Sequence, residues 1–112
     1  MSLAGLYLYD IGKLGEALIG EFGTIAYDKF EGDTAKTDSA VRRLTIMRER
    51  WSWLRPQVKK ELPAIDWRAV TGAWNREAGR YDGVDVKQLW ETIVQKLPEI
   101  NKKVEELLKS QG

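Results

Sequence analysis

Two stretches of this chain carry residue types that could meet a ligand. Between Arg42 and Lys60 stand Arg42, Arg43, Arg48, Arg50, Arg55, Lys59 and Lys60, opposed only by Glu49, with Trp51 and Trp53 interleaved. Cations beside aromatic faces suit single-stranded nucleic acid, because phosphates pair with the charges while bases stack on the rings. Trp51 falls on an apolar stripe and is expected in the core; Trp53 lies off it and is the better contact residue, alongside Arg48 and Arg50. A solvated helix face is the plainer account of the same run. The second stretch is Trp74-Asn75-Arg76-Glu77-Ala78-Gly79-Arg80-Tyr81. Here Arg76 and Arg80 could supply positive charge to a phosphate, beside the Tyr81 phenol.

What the chain lacks narrows the chemistry further. It contains no histidine and no cysteine, which excludes imidazole acid–base work, thiol nucleophiles, zinc–thiolate sites and disulfides. Asp10, Glu49, Asp66 and Glu77 have no spacing that suggests a metal site. Gly79 and Gly83 are not followed by the Gly-Lys-Ser that opens a phosphate-binding helix. No metal and no cofactor is expected.

One hundred and twelve residues, 43% hydrophobic and 31% charged, suffice for one core and a well-solvated surface, so residues 1–112 are read as a single domain. A formal charge of +1 gives no general pull towards nucleic acid or membrane, and any electrostatic footprint must be local. Leu3 to Phe22 is broken by Asp10, Lys13, Glu16 and four glycines. It has neither the apolar length of a membrane span nor the basic start of a signal peptide. A cytoplasmic protein with no membrane partner is the expectation.

The elements that must position these residues are helices. Leu3, Leu6, Tyr7, Asp10, Ile11, Leu14, Leu18 and Phe22 mark a first helix near 3 to 20. One short helical piece is expected around Ile25 to Phe30. Thr37 or Asp38 could cap a second long helix, about 37 to 61, carrying Leu44, Met47, Trp51, Leu54 and Val58, with a kink or break at Pro56. Asp66 reads as the cap of a third helix near 66 to 79, with Trp67, Val70, Thr71, Trp74 and Ala78 on one face. Asp85 caps a fourth, about 85 to 109, striped by Val86, Leu89, Ile93, Leu97, Ile100, Val104 and Leu107 and restarting at Pro98. No strand-like alternation is present, so the expectation is an all-α bundle of four to five helices. Trp51, Trp67, Trp74 and Trp90 sit on or beside the stripes and are read as core or dimer-interface residues.

The order of these pieces is itself informative. Val41-Arg42-Arg43-Leu44-Thr45-Ile46-Met47-Arg48-Glu49 is followed by Leu62-Pro63-Ala64-Ile65-Asp66-Trp67, then Trp74-Asn75, Tyr81-Asp82-Gly83-Val84-Asp85, Leu89-Trp90-Glu91 and Leu97-Pro98-Glu99. Over about residues 37 to 108 this resembles the HepT-like branch of the HEPN superfamily. The resemblance implies an all-α, HEPN-like bundle that dimerises. It also implies a metal-independent ribonuclease toxin, paired with a minimal nucleotidyltransferase that can adenylylate a motif tyrosine.

The family motif is arginine, four residues, histidine, one residue, tyrosine. Trp74 stands at its arginine position, Gly79 at its histidine position, and Tyr81 matches. In the family the arginine and histidine organise attack of the ribose 2′-hydroxyl and stabilise the scissile phosphate; tryptophan and glycine can do neither. The resemblance therefore points to a domain whose cleavage is lost or weakened, acting as a partner-, RNA- or nucleotide-binding module. The alternative is an active ribonuclease using a variant site of Arg76, Arg80 and Tyr81. Tyr81 is the expected modification site, and should lie exposed on a turn at the end of the third helix. Around Arg48-Glu49-Arg50-Trp51 the family has small residues beside the glutamate, so packing there should differ.

Overall fold

The computed structural model describes residues 2–111. Helix α1, Leu3–Phe22, begins at Ser2, whose Oγ accepts from the Gly5 amide at 3.1 Å. It buries Leu8, Ile11, Leu18 and Phe22 between two neighbours, helix α3 (Thr34–Ser52) and helix α7 (Leu97–Gln111). Two of its glycines, Gly12 and Gly15, have a packing reason. Asn101 of α7 donates through Nδ2 to the Gly12 carbonyl at 3.2 Å, and a Cβ at Gly15 would overlap the Asn101 side chain. The cost of poor helix formers is thus offset by close approach of the two helices.

Helix α2, Tyr27–Glu31, is the short piece expected nearby; it drops Phe30 onto Phe22, ring centroids 5.5 Å apart. Helix α3 starts earlier than Thr37 or Asp38. Asp33 caps it instead, its carboxylate accepting from the Lys36 amide at 3.2 Å. The expected break at Pro56 is present: α3 ends at Ser52, and a separate turn, α4 (Pro56–Lys59), begins with the proline in its first turn. Arg55 before it is extended, as a residue preceding proline must be. The expected long helix over 37 to 61 is therefore two helices.

The largest difference from the sequence expectation follows Asp66. That residue does cap helix α5, accepting from the Ala69 amide at 3.2 Å, but α5 runs only from Trp67 to Thr71. Gly72 ends it at φ 57°, ψ −150°, a conformation open essentially to glycine alone. An antiparallel hairpin follows, β1 (Ala73–Asn75) pairing with β2 (Arg80–Asp82). The helix expected over 66 to 79 is thus a helix of one turn and a hairpin, and the fold is helical with one strand pair among the described residues.

Asp85 caps helix α6, Val86–Glu91, by accepting from the Gln88 amide at 3.1 Å. A π-helical turn, Thr92–Lys96, then leads without interruption into α7. The Leu97 amide donates to the Thr92 carbonyl, and the widened turn relieves the ladder where Pro98 has no N–H to give. Leu89, Ile93, Leu97, Ile100 and Val104 join Leu8, Ile11, Leu44, Met47 and Val70 in one core. No helix among the described residues is long and apolar enough to cross a membrane.

Candidate functional site

The hairpin carries every residue of the second ligand-competent stretch. Its register sets Ala73 against Asp82, Trp74 against Tyr81 and Asn75 against Arg80. Because side chains alternate along a strand, Trp74 and Tyr81 share one face while Asn75, Arg80 and Asp82 share the other. On the first face the two rings meet edge to face, centroids 4.9 Å apart. On the second, Asn75 Nδ2 donates to Asp82 Oδ2 at 2.7 Å and Arg80 Nε donates to Asp82 Oδ1 at 3.1 Å. Asn75 also organises the turn: its Oδ1 accepts from the Ala78 amide at 3.0 Å and its carbonyl from the Gly79 amide at 2.8 Å. The Asn75 hydrogen bond, with a smaller contribution from the Arg80 guanidinium, holds the Asp82 carboxyl below its ordinary range against an opposing push from burial.

The base of the hairpin is pinned to the bundle. A Cβ at Gly72 would overlap the Asp82 carbonyl, and the Asp85 amide donates to the Ala69 carbonyl at 2.8 Å. Trp74 projects with 55% of its surface exposed, so it is not a core residue. Tyr81 is half-buried on β2 and packs against the core; it does not stand free on a turn at a helix end. Gly79 lies in the tip with φ 64° and open space around it. Arg76 and Arg80 are both exposed, and Arg76 has no ion pair among the described residues.

The arginines and tryptophan of the first stretch fall on two different faces. Arg48 Nη1 donates to Thr71 Oγ1 at 3.0 Å, placing that guanidinium just before the hairpin. Arg50 turns the other way: its Nε meets Asp10 Oδ2 at 3.3 Å, its Nη1 meets Glu49 Oε1 at 2.8 Å, and its guanidinium covers Trp53 at 5.0 Å. Trp53 also touches Tyr7, centroids 5.2 Å apart, and remains 49% exposed. Trp51, by contrast, is buried in the core at 7% exposure, and its ring meets Trp67 at 5.2 Å. Arg48, Arg76 and Arg80 therefore share the α5–hairpin side, while Arg50 and Trp53 belong to the α1–α3 side.

Three further residues stand on the Arg48 side. Lys59, Lys60 and Trp67 line an open cleft of about 600 Å³ with Arg48, Trp51 and Ile65. Lys59 and Lys60 were legible only as part of a basic run, since it is the break at Pro56 that folds them back beside α3, and Trp67 only as a core or dimer-interface residue. Chemically, the hairpin offers two cations, a phenol and an exposed indole. It offers no imidazole, and the chain has none elsewhere. No cluster of carboxylates that could hold a metal ion occurs among the described residues.

Comparison with known proteins adds the following. The family model described as Ribonuclease HepT-like matches residues 16–107. A protein of Caldanaerobacter subterraneus subsp. tengcongensis, named as a candidate RNase, is 30% identical over 94% of this chain and 94% of its own length. One from Methanocaldococcus jannaschii, also named as a candidate RNase, is 27% identical over 92% of this chain and 85% of its own. A Thermococcus cleftensis protein assigned by name as a ribonuclease HepT is 33% identical over 92% of this chain and 94% of its own. No solved structure gives a significant match.

Proposed function

The chain belongs to the HepT-like ribonuclease family, and from that premise we propose that it is a member whose cleavage is lost or weakened. On this reading it is a cytoplasmic component of a toxin–antitoxin pair. It binds a minimal nucleotidyltransferase partner and holds RNA or nucleotide without turning it over efficiently. One observation carries the reading. The positions that match the family's arginine and histidine hold Trp74 and Gly79, and they sit on a hairpin where Asn75, Arg80 and Asp82 are tied to one another. Removing a single preorganised donor to a developing charge costs on the order of 2.7–4 kcal/mol of transition-state stabilisation. Here the imidazole is absent as well. What persists is exposed positive charge from Arg76 and Arg80 and, on the hairpin face opposite Arg80, the exposed Trp74 indole, groups that suit phosphates and bases.

Two further parts of the proposal concern partners. The adenylyl acceptor is Tyr81, whose phenol shares the hairpin with both arginines. The homodimer forms through the α1–α3 face, where Leu6 (47% exposed), Ile46 (45%) and Trp53 leave apolar surface uncovered. Trp51 takes no part in it, being in the core.

The test is incubation of purified protein with RNA in the presence of a chelator, beside a relative that keeps the arginine and histidine. Binding without cleavage is expected. Robust cleavage abolished by Arg76→Ala or Arg80→Ala would overturn the proposal, because it would mean the flanking arginines had assumed the catalytic work.

A further inference from the structure

The cleft between the end of α3, α4 and the start of α5 has an unbalanced lining. Arg48, Lys59 and Lys60 stand on its rim, Trp51, Leu62, Ile65 and Trp67 form its wall, and no carboxylate lines it. The acids next to these residues in sequence are all engaged elsewhere. Glu49 pairs with Arg50 at 2.8 Å, Glu61 with Lys103 at 3.7 Å, and Asp66 caps α5. Arg48 is steered by a neutral partner, Thr71 Oγ1, which itself donates to the Trp67 carbonyl at 2.6 Å. Its orientation is fixed while its charge stays uncompensated. Lys59 Nζ donates to the Ser52 carbonyl at 3.3 Å, which holds it over the same opening. The Lys60 side chain has no hydrogen bond or ion pair among the described residues.

Three uncompensated cations over an apolar and aromatic wall ask for a ligand that is anionic at one end and flat and apolar at the other. The geometry points to this cleft as a binding site for a nucleoside monophosphate, either free or as the terminal nucleotide of a single-stranded RNA. It takes the phosphate on Arg48, Lys59 and Lys60 and lays the base against Trp67 and Ile65. The guanidinium fork of Arg48 suits a phosphate edge, and Lys60 adds a mobile point charge. A cleft of about 600 Å³ lies within the range that small-molecule sites occupy. The site is distinct from the hairpin, although it rests on the reading of the chain as an RNA- or nucleotide-holding module and says where one nucleotide sits.

Tryptophan fluorescence and titration calorimetry with adenosine 5′-monophosphate, inorganic phosphate, and a short oligoadenylate with and without its 5′-phosphate test the assignment. The monophosphate should quench tryptophan emission and bind more tightly than phosphate alone. Lys60→Gln, which disturbs no contact, and Arg48→Gln should each weaken it roughly tenfold. Tighter binding of the 5′-phosphorylated oligoadenylate, lost in Lys60→Gln, supports the cleft with an RNA end as its source. Binding of the monophosphate but not of the oligomer supports it with a free nucleotide. Inorganic phosphate binding as tightly as the monophosphate overturns it, since the aromatic wall would then contribute nothing. Oligoadenylate binding that Arg76→Gln and Arg80→Gln abolish and Lys60→Gln ignores also overturns the cleft, while leaving the function proposed for the hairpin intact. If neither ligand binds, both readings fall.

Discussion

Asn75 reaches across the hairpin to Asp82 with its amide nitrogen 2.7 Å from Oδ2, and this contact is the largest cause holding the Asp82 carboxyl below its ordinary range. A carboxyl depressed in the folded state contributes stability that is present above its unfolded value and lost as pH falls through the folded one. Wild-type protein should therefore be more stable than Asn75→Ala at neutral pH, with the gap closing in acid. In the variant, an NMR titration should find the Asp82 carboxyl moved up towards its ordinary range. An unmoved carboxyl would mean that Arg80, not Asn75, sets the value.

Two glycines of the same region should respond unequally to alanine. Gly72 combines φ 57° with a backbone that would bring a Cβ into the Asp82 carbonyl. Gly72→Ala should cost on the order of 3 kcal/mol or more, from strain and overlap together. Gly79 has φ 64° but open space around it, so Gly79→Ala should cost only about 1–2 kcal/mol. Urea denaturation of both variants checks the ranking. Equal losses would show that the hairpin base is not pinned by Gly72.

The proposed α1–α3 interface predicts a dimer that a single charge can break. Ile46 is exposed on that face and lines a shallow cleft with Asp10, Leu14 and Arg50. Ile46→Glu should convert the protein to a monomer in light scattering without changing its helical circular dichroism. A wild-type protein that is monomeric at high micromolar concentration would remove the dimer from the account.

On the proposed pairing, Tyr81 is expected to gain an adenylyl group when the protein is co-expressed with a minimal nucleotidyltransferase. Intact-mass spectrometry should show one adduct on wild type and none on Tyr81→Phe. Because the Trp74 ring packs against Tyr81 at 4.9 Å, Trp74→Ala should be modified faster. An unmodified wild type, beside a related toxin that is modified, would leave Tyr81 a packing residue.

Much of this architecture could be read before any coordinates. Asp66 and Asp85 cap as their sequence context indicates, because a short acidic side chain ahead of an apolar stripe has few other uses. Asp33 was harder to see: next to Gly32 it reads as loop punctuation, and only the Lys36 amide reveals it as a cap. The hairpin escaped for a different reason. Strands of three residues, Ala73–Asn75 and Arg80–Asp82, are too short to show alternation, and Trp74 completes a helical stripe with Val70 by coincidence of spacing. Its trace was Gly72, unremarked among ten glycines. Of the site, Arg48, Arg76 and Arg80 could be named from type alone. That Arg50 and Trp53 belong to another face could not, since it depends on Asp10 and Tyr7, distant in sequence.

The π-helical turn at Thr92–Lys96 has a consequence for how the two ends of the molecule are tied together. Its sequence trace is the run Leu89, Ile93, Leu97, two successive steps of four where a plain helix would return a three. An extra residue in one turn advances everything after it by about 100° about the axis. Helix α6, seated on α2 and α5, and helix α7, seated on α1, are therefore phased separately along one continuous rod. Removing a single residue from 92–96 would leave α6 in place and swing Leu97, Ile100 and Val104 off α1. The wide turn acts as an angular coupling: it sets the orientation of the half of the protein that carries the hairpin relative to the half that carries α1.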